Sequence, residues 1–547
     1  MKLFLILPIA HLLTLAAAFQ AVSSPLFRRG GSIFASSSDS SSSLEEKDEA
    51  IVIGGGPVGL ASALTLAKAG YQVSVYEATP AEEMKIFNPA VAYLYNVNVR
   101  GQVFTKQFPF VHDELLKRSV ASNETGSMIA PADTVKNITI SGPRTAPVGT
   151  NDDISYWIPR HEMNLLLWEA IDDYNLKKKE GEGYISFQQG MKCINVSSSA
   201  EKVSVELQNV ATQELSTQSC KLLVGADGLK SQVRTCLYEK SSQFDFDFDA
   251  KKFKLKKYTS PATGLKLKAL QLPTDELALI DANGEEMATK PTDFVVTRSV
   301  TNGPYDRLSV GCLPSKKSII NIRPGNTITR PNHKLWTIKT GNEMKAWFKE
   351  IFPRVDWEKF VNDEEWERYA KAEGLTFPPC QYSPGLQACK DDGDCGVVLL
   401  GDAAHSFSPD IGQGINAGLR DVVQFGELLK ESQAKKEKLS TLLKAYEKVR
   451  APETKALIRI ARFGAPLQYN QSLRKDRIHK MLWTMNLAMR LLLNKITFGL
   501  FPQPMIMLLQ DSTLSYKQVA NRADAGTVVL KSILAILLLR KFVPRFL

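Results

Sequence analysis

"AIVIGGGPVGLASALTLAKAGYQVSVYEA", residues 50–78, decides the fold. Ala50 to Ile53 read as a buried strand, Gly54-x-Gly56-x-x-Gly59 opens a helix that reaches Ala69, and Gln72 to Tyr76 form a second strand. The first glycine allows a tight turn, the second lets backbone amides approach a pyrophosphate, and the third lets helix and strand pack closely. The helix N-terminus adds partial positive charge for the phosphates. Glu77 follows Gly54 by 23 residues, where an acid can hold the ribose hydroxyls. Strand, helix, strand and acid in one register predict dinucleotide binding.

Two further strand ends carry glycine and aspartate. "KLLVGADGLKSQVR", residues 221–234, is an apolar strand running into Ala226-Asp227-Gly228. Val397 to Leu400 run into "GDAAHSFSPDIGQGIN", residues 401–416. Apolar positions at Ile415, Leu419, Val422, Val423 and Phe425 predict a helix that begins near Gly412 to Gly414.

At 547 residues, 44% hydrophobic and 23% charged, the chain is sized for two globular domains with appendages. Its net charge of +10 is uneven: from Asp421 onward there are 22 Lys and Arg against 9 Asp and Glu, so the basic excess belongs to the last quarter. The seven cysteines (193, 220, 236, 312, 380, 389, 395) form no C-x-x-C pair, so free thiols are expected and neither a zinc site nor a dithiol motif. Four N-x-[ST] sequons (Asn123, Asn137, Asn195, Asn470) matter only if the chain stays in the secretory lumen. No nucleic-acid partner is expected.

The start reads as targeting material: Lys2, an apolar run and Ala16-Ala17-Ala18 form a signal peptide over residues 1–18. The acid-free, Ser-rich stretch that follows, with Arg28 and Arg29, has transit-peptide composition. Either a plastid of secondary-plastid type or the endoplasmic reticulum is the expected destination. At the other end, Thr527 to Leu539 is a 13-residue apolar run interrupted by Lys531 and followed by Arg540, Lys541 and Arg545. That is short of the roughly 20 residues a spanning helix needs, so an anchor lying on a membrane surface is expected.

The three motifs in this order resemble the FAD-dependent monooxygenases of the single-component aromatic hydroxylase class, over residues 50 to 525. Within that class, "GDAAHSFSPDIGQGINAGLRD", "GADGLKSQVR" and "MKAWFKEIFPRVDWEKF" are most similar to the kynurenine 3-monooxygenases. The resemblance implies an α/β fold: a Rossmann-type FAD-binding domain in two parts (49–243 and 381–465), a β-sheet substrate domain (244–380) and a C-terminal helical tail (466–547), after a linker over 19–48. It implies FAD as resident cofactor and NADPH or NADH as a transient co-substrate, since only one dinucleotide fingerprint is present. It further implies oxygen insertion into an aromatic or quinone-like substrate through a flavin C4a-hydroperoxide, beneath a roof formed by the middle segment's strands, "GLKLKALQLP" and "DRLSVGCLP".

Carried over residue by residue, Gly54, Gly56, Gly59 and Glu77 hold the adenosine and pyrophosphate, and Arg160 in "WIPRHEMN" contacts FAD. Asp227 lies near the pyrophosphate and the nicotinamide groove, Asp402 takes ribityl hydroxyls, Gly412 and Gly414 lie against the isoalloxazine ring, and Pro409 stiffens this cofactor-binding loop. Asn416 is both a cofactor contact and a substrate-pocket candidate, His405 reads as structural, and no side chain is assigned a catalytic role or a metal. Elsewhere the pattern departs from the family. The Arg and Tyr residues of a substrate-carboxylate clamp are missing, Phe-Phe is replaced by Asp410-Ile411, and Phe-Glu-Asp by Leu419-Arg420-Asp421. A clamp rebuilt from Arg100 or Arg144 is one expectation; hydroxylation or epoxidation of a quinone, isoprenoid or other lipid is a second. A flavin-binding membrane protein without oxygenase activity is a third.

Overall fold

The computed structural model describes residues 48–89, 92–143, 154–301, 307–316, 321–465 and 474–542. The presequence readings over 1–18 and 19–47, Arg144, Asn470 and Arg545 lie outside them.

The opening stretch folds as read: strand Glu49–Ile53, helix Pro57–Lys68, strand Gln72–Glu77. Small side chains along the helix, Ala61, Ala63 and Ala67, let it lie close on the sheet, and all three are fully buried. The six-stranded sheet runs Gln387–Cys389, Gly396–Leu399, Leu222–Gly225, Glu49–Ile53, Gln72–Glu77, Ile185–Gln189. Every pairing in it is parallel except the hairpin of the first two. The register sets Ile53 beside Gly225 and Gly225 beside Leu399, so all three glycine-bearing strand ends emerge at one edge. In a parallel sheet with helices on its faces, that carboxyl edge is where ligands bind.

The second sheet has seven strands: Leu375–Thr376, Lys266–Pro273, Ile322–Thr329, Ser309–Cys312, Phe294–Arg298, Ser127–Ala130 and Thr139–Ser141. Strands expected from "GLKLKALQLP" and "DRLSVGCLP" are there. Two strands, however, come from ahead of the expected boundary at residue 244. Ser127–Ala130 pairs in parallel with Phe294–Arg298, a long-range contact that leaves no local trace in sequence. Helices Gly341–Ile351 and Asp363–Lys371 cover one face through an aromatic cluster in which Trp357, Trp366 and Phe348 are buried.

The chain ends in helices Leu439–Phe463, Arg474–Ile496, Met505–Leu508 and Tyr516–Phe542. Tyr516, Val519, Ala520 and Ala523 of the last helix share a core with Leu457 and Ile460. Beyond it, Val528, Ile533, Ile536 and Leu539 stand exposed. No described helix is long and apolar enough to cross a membrane. The seven cysteines are all free and buried.

Candidate active site

Gly54 adopts φ +111°, and a Cβ there would stand 2.4 Å from the Ala226 carbonyl oxygen. A Cβ on Gly59 would stand 1.8 Å from the Gly54 carbonyl oxygen. These two glycines let strand, helix and neighbouring strand cross. Gly56 differs: nothing approaches its Cβ position within 4 Å, and the helix that follows has no side-chain cap. Its first amides are thus left facing a space suited to an anion.

Glu77 ends the second strand with both oxygens engaged. One accepts from Gly55 N at 2.6 Å, and the other from Thr79 N at 2.8 Å and Thr79 Oγ1 at 2.7 Å. Fixed there and half-buried, the carboxylate braces the glycine turn while keeping an open face.

Strand Leu94–Val97 pairs with Tyr156–Pro159 and carries Tyr95; Tyr93 immediately precedes it. Arg160 N donates to Tyr93 O at 3.0 Å, and the Arg160 guanidinium lies 5.8 Å from the Tyr93 ring centroid. Burial lowers the Arg160 pKa, but Tyr95, Tyr93 and Glu77 more than offset it, so the side chain stays cationic. Asp402 keeps an open face yet lies so deep that burial pushes its pKa up, with Asp421 adding and His405 and Arg160 opposing. It accepts no hydrogen bond from the described residues. Arg160 is therefore within electrostatic reach of both Glu77 and Asp402, from two other segments.

Asp227 caps the helix Gln232–Glu239: Oδ2 accepts from Gln232 N at 2.6 Å and Val233 N at 3.1 Å. Its Oδ1 is buried without a partner among the described residues, and burial raises its pKa. Pro409 opens a short turn, Pro409–Ile411, ended by Gly412 at φ +61°, and Gly414 begins the helix Gly414–Ala434. Neither Gly412 nor Gly414 has an atom within 4 Å of its Cβ position. Asn416 is spent on backbone: Nδ2 donates to Asn96 O and Gly412 O at 2.8 and 3.0 Å, and Oδ1 accepts from Asn98 N at 2.9 Å. Fully buried, it braces the loop rather than presenting an amide to a pocket.

Beneath the loop lies a charge network that sequence reasoning missed. Asp421 Oδ2 accepts from Gly401 N at 2.9 Å and meets His405 Nε2 at 2.7 Å, while Oδ1 accepts from Arg450 Nε at 2.9 Å and also from Nη2. Burial alone would raise the Asp421 pKa; Arg450, then His405, overcome it and hold the carboxyl at about 2. His405 thus has the partner carboxylate that could not be picked out by spacing. A buried His in a strand-end motif followed by an Asp one helix away was the available signal; Arg450, in a later helix, left none.

The arrangement fits a flavin dinucleotide. Gly56, Gly412 and Gly414 are open where a cofactor would fill the space, Asp227 Oδ1 and Asp402 have no hydrogen-bond partner among the described residues, and Arg160 interacts electrostatically with both Glu77 and Asp402. Comparison with known proteins agrees. A family model described as "FAD binding domain" matches residues 168–267 and 383–461. The chain is 25% identical over 407 residues to a kynurenine 3-monooxygenase of Sus scrofa, covering 74% of this chain and 73% of that one. It is 23% identical over 490 residues to a kynurenine 3-monooxygenase of Salinispora arenicola, covering 88% and 91%. The chain is an FAD-dependent monooxygenase. Its fold is also that of OxyS anhydrotetracycline hydroxylase from Streptomyces rimosus, at TM-score 0.50 and 17% identity, with 87% of this chain and 76% of that one covered.

One expectation for the monooxygenase fails. Arg100 is not free to rebuild a carboxylate clamp: it is buried, and its guanidinium donates to the carbonyl oxygens of Leu514 and Asp511 at 2.5 Å each and stacks on Tyr516 at 5.2 Å. Those carbonyls belong to the turn before the last helix, so Arg100 ties the tail to the helix Val99–Thr105.

Proposed function

We propose that the monooxygenase hydroxylates an aromatic ring in the manner of kynurenine 3-monooxygenases, with NADPH or NADH as electron donor, on a substrate that lacks kynurenine's carboxylate recognition. The observation that carries this is the open glycine loop with Asp402 at its start, in electrostatic reach of Arg160, which in turn senses Glu77. Gly56 and the uncapped helix hold the pyrophosphate, Glu77 the ribose, Asp402 the ribityl chain, and Gly412 and Gly414 the flat ring. Bound there, FAD supplies the redox chemistry with oxygen. The chain's own residues orient it: the Asp421–Arg450–His405 network fixes the loop from below, and Asn416 pins it to strand Leu94–Val97. The helix Gly414–Ala434, uncapped by any side chain, would offer its positive end to the bound group.

Against kynurenine itself stands Arg100, whose donors are consumed by backbone carbonyls. The expected result is oxidation of NADPH stimulated by uncharged or amine-bearing aromatics, with a ring-hydroxylated product, and little stimulation by kynurenine. Stoichiometric 3-hydroxykynurenine would overturn the substrate reading and keep the reaction class.

The exposed apolar faces support a membrane-surface role for the C-terminal helices. Phe498 and Leu500, which follow helix Arg474–Ile496, are 98% and 90% exposed, and Phe498 holds φ +51°, a costly backbone for a bulky residue. Met481, Leu482 and Met485 extend the same exposure, amid the basic excess of the last quarter.

A further inference from the structure

Three of the four N-x-[ST] sequons lie among the described residues, and the fold treats each differently. Asn195, on strand Met191–Ser198, is half-buried and spent on its neighbours: Oδ1 accepts from Lys240 Nζ at 2.8 Å and from the Cys236 thiol at 3.8 Å. Asn123 reaches solvent from the turn Ser122–Glu124, but Thr125, which completes its sequon, is 2% exposed with its hydroxyl enclosed. The third sequon is open throughout. Asn137 and Thr139 are both exposed, while Ile138 between them is buried in the core of the second sheet. Residues i and i+2 of an extended chain share a face, so the Asn137 amide and the Thr139 hydroxyl stand together on the solvent side. Neither side chain hydrogen-bonds to a described residue.

The chain around Asn137 is held by other groups. Arg354, fully buried, supports the preceding turn from beneath: Nη2 donates to Asp133 O at 2.7 Å and also to Lys136 O, and Nη1 donates to Ile280 O at 2.9 Å. Thr139–Ser141 is the end strand of the seven-stranded sheet, and it carries Ile140 at 60% exposure close after Val135 at 80%. An uncovered strand edge with apolar side chains is a template for pairing with another chain, and a bulky hydrophilic group beside it blocks that pairing.

We infer that Asn137 carries an N-linked glycan that shields this sheet edge, and that Asn123 and Asn195 carry none. The inference is independent of the substrate reading and rests on the signal peptide expected over residues 1–18, which brings the chain into the lumen of the endoplasmic reticulum for either expected destination. Transfer from a lipid-pyrophosphate-linked oligosaccharide forms a bond between the sugar's anomeric carbon and Asn137 Nδ2 and breaks that carbon's bond to the pyrophosphate oxygen. The amide gives up one proton, the lipid pyrophosphate leaves, and nothing is oxidised or reduced.

The test translates the full-length chain with endoplasmic-reticulum microsomes, treats the membranes with protease, and maps the protected chains by mass spectrometry before and after peptide-N-glycosidase. The expected result is a glycosidase-sensitive modification on the peptide that contains Asn137, and none on those that contain Asn123 or Asn195. Asn137→Gln and Thr139→Ala should each remove it, and Thr139→Ser should keep it. Asn137→Gln should also leave flavin content unchanged, because Arg354 holds the loop through carbonyls rather than through Asn137. Protected chains with an unmodified Asn137, or with a glycan at Asn123 or Asn195, would overturn the inference and keep the targeting expectation. Chains left open to protease would overturn both. A second arm, with residues 1–18 replaced by a signal peptide of proven function, tests the site alone: protected chains that still lack a glycan at Asn137 would show that the fold does not select this sequon.

Discussion

Asp421 and Asp410 are both buried, eleven residues apart on one loop and helix, and their surroundings push them in opposite directions. Arg450 and His405 hold Asp421 at about 2, below the ordinary value of about 3.9, so it favours the folded state above about pH 4 and that contribution is lost as pH falls toward 2. Asp410, raised to about 7, favours the folded state when protonated; that contribution is full below about pH 4 and is lost as pH rises through 7. A melting-temperature profile against pH should therefore show two limbs. Asp410→Asn should flatten the fall between about pH 4 and 7, and Asp421→Asn the fall on the acid side. At neutral pH Asp421→Asn should also cost about 3 to 5 kcal/mol in urea unfolding, because it leaves Arg450 buried without its counter-charge. Asp402→Ala should behave differently again, since Asp402 accepts no hydrogen bond from the described residues: stability changes little, while FAD affinity drops by about 1 to 3 kcal/mol, read by cofactor titration. A colourless wild-type protein that takes up no FAD would sink this expectation.

At the scale of the element, the three glycines of the first turn separate packing from binding. Gly59→Ala drives a Cβ into the Gly54 carbonyl and should unfold the strand–helix unit, visible as lost secondary structure and lost flavin. Gly56→Ala meets only open space, so the fold should survive with weakened FAD binding. Identical melting and flavin content for the two variants would contradict that division. The strand–helix–strand unit was legible because everything that builds it lies within residues 49–77: alternation, glycine spacing and the closing acid. The helix at Gly414 was legible for the same reason. What could not be read was long-range: the parallel pairing of Ser127–Ala130 with Phe294–Arg298, the meeting of Asp421 with Arg450, and the capture of Arg100 by carbonyls near residue 512. Each joins segments whose local sequence carries no sign of the partner. Asn416 shows the converse limit, for a motif position names a residue but not which of its atoms remain free.

Across the whole molecule, the last helix changes from buried to exposed near residue 527. Its first turns belong to the flavin unit: Tyr516 Oη donates to Gln413 of the glycine loop, Arg100 holds the turn before it, and Val519 and Ala523 are buried. Its later turns present Val528, Ile533, Ile536 and Leu539 to solvent, next to Arg490, which donates to Thr527 Oγ1 at 2.7 Å. Deleting residues 527–547 should therefore move the protein from membrane to soluble fractions while FAD content and melting change little. Truncating before Tyr516 should release FAD as well. The exposed Phe498 and Leu500 form a second apolar patch, and on the proposed membrane-surface reading two weak contacts anchor better than one. Phe498→Ser with Leu500→Ser should accordingly reduce sedimentation with anionic phospholipid vesicles in the full-length chain and abolish it in the truncated one. Identical partitioning of all these forms would mean that the exposed helix faces meet something other than a lipid surface.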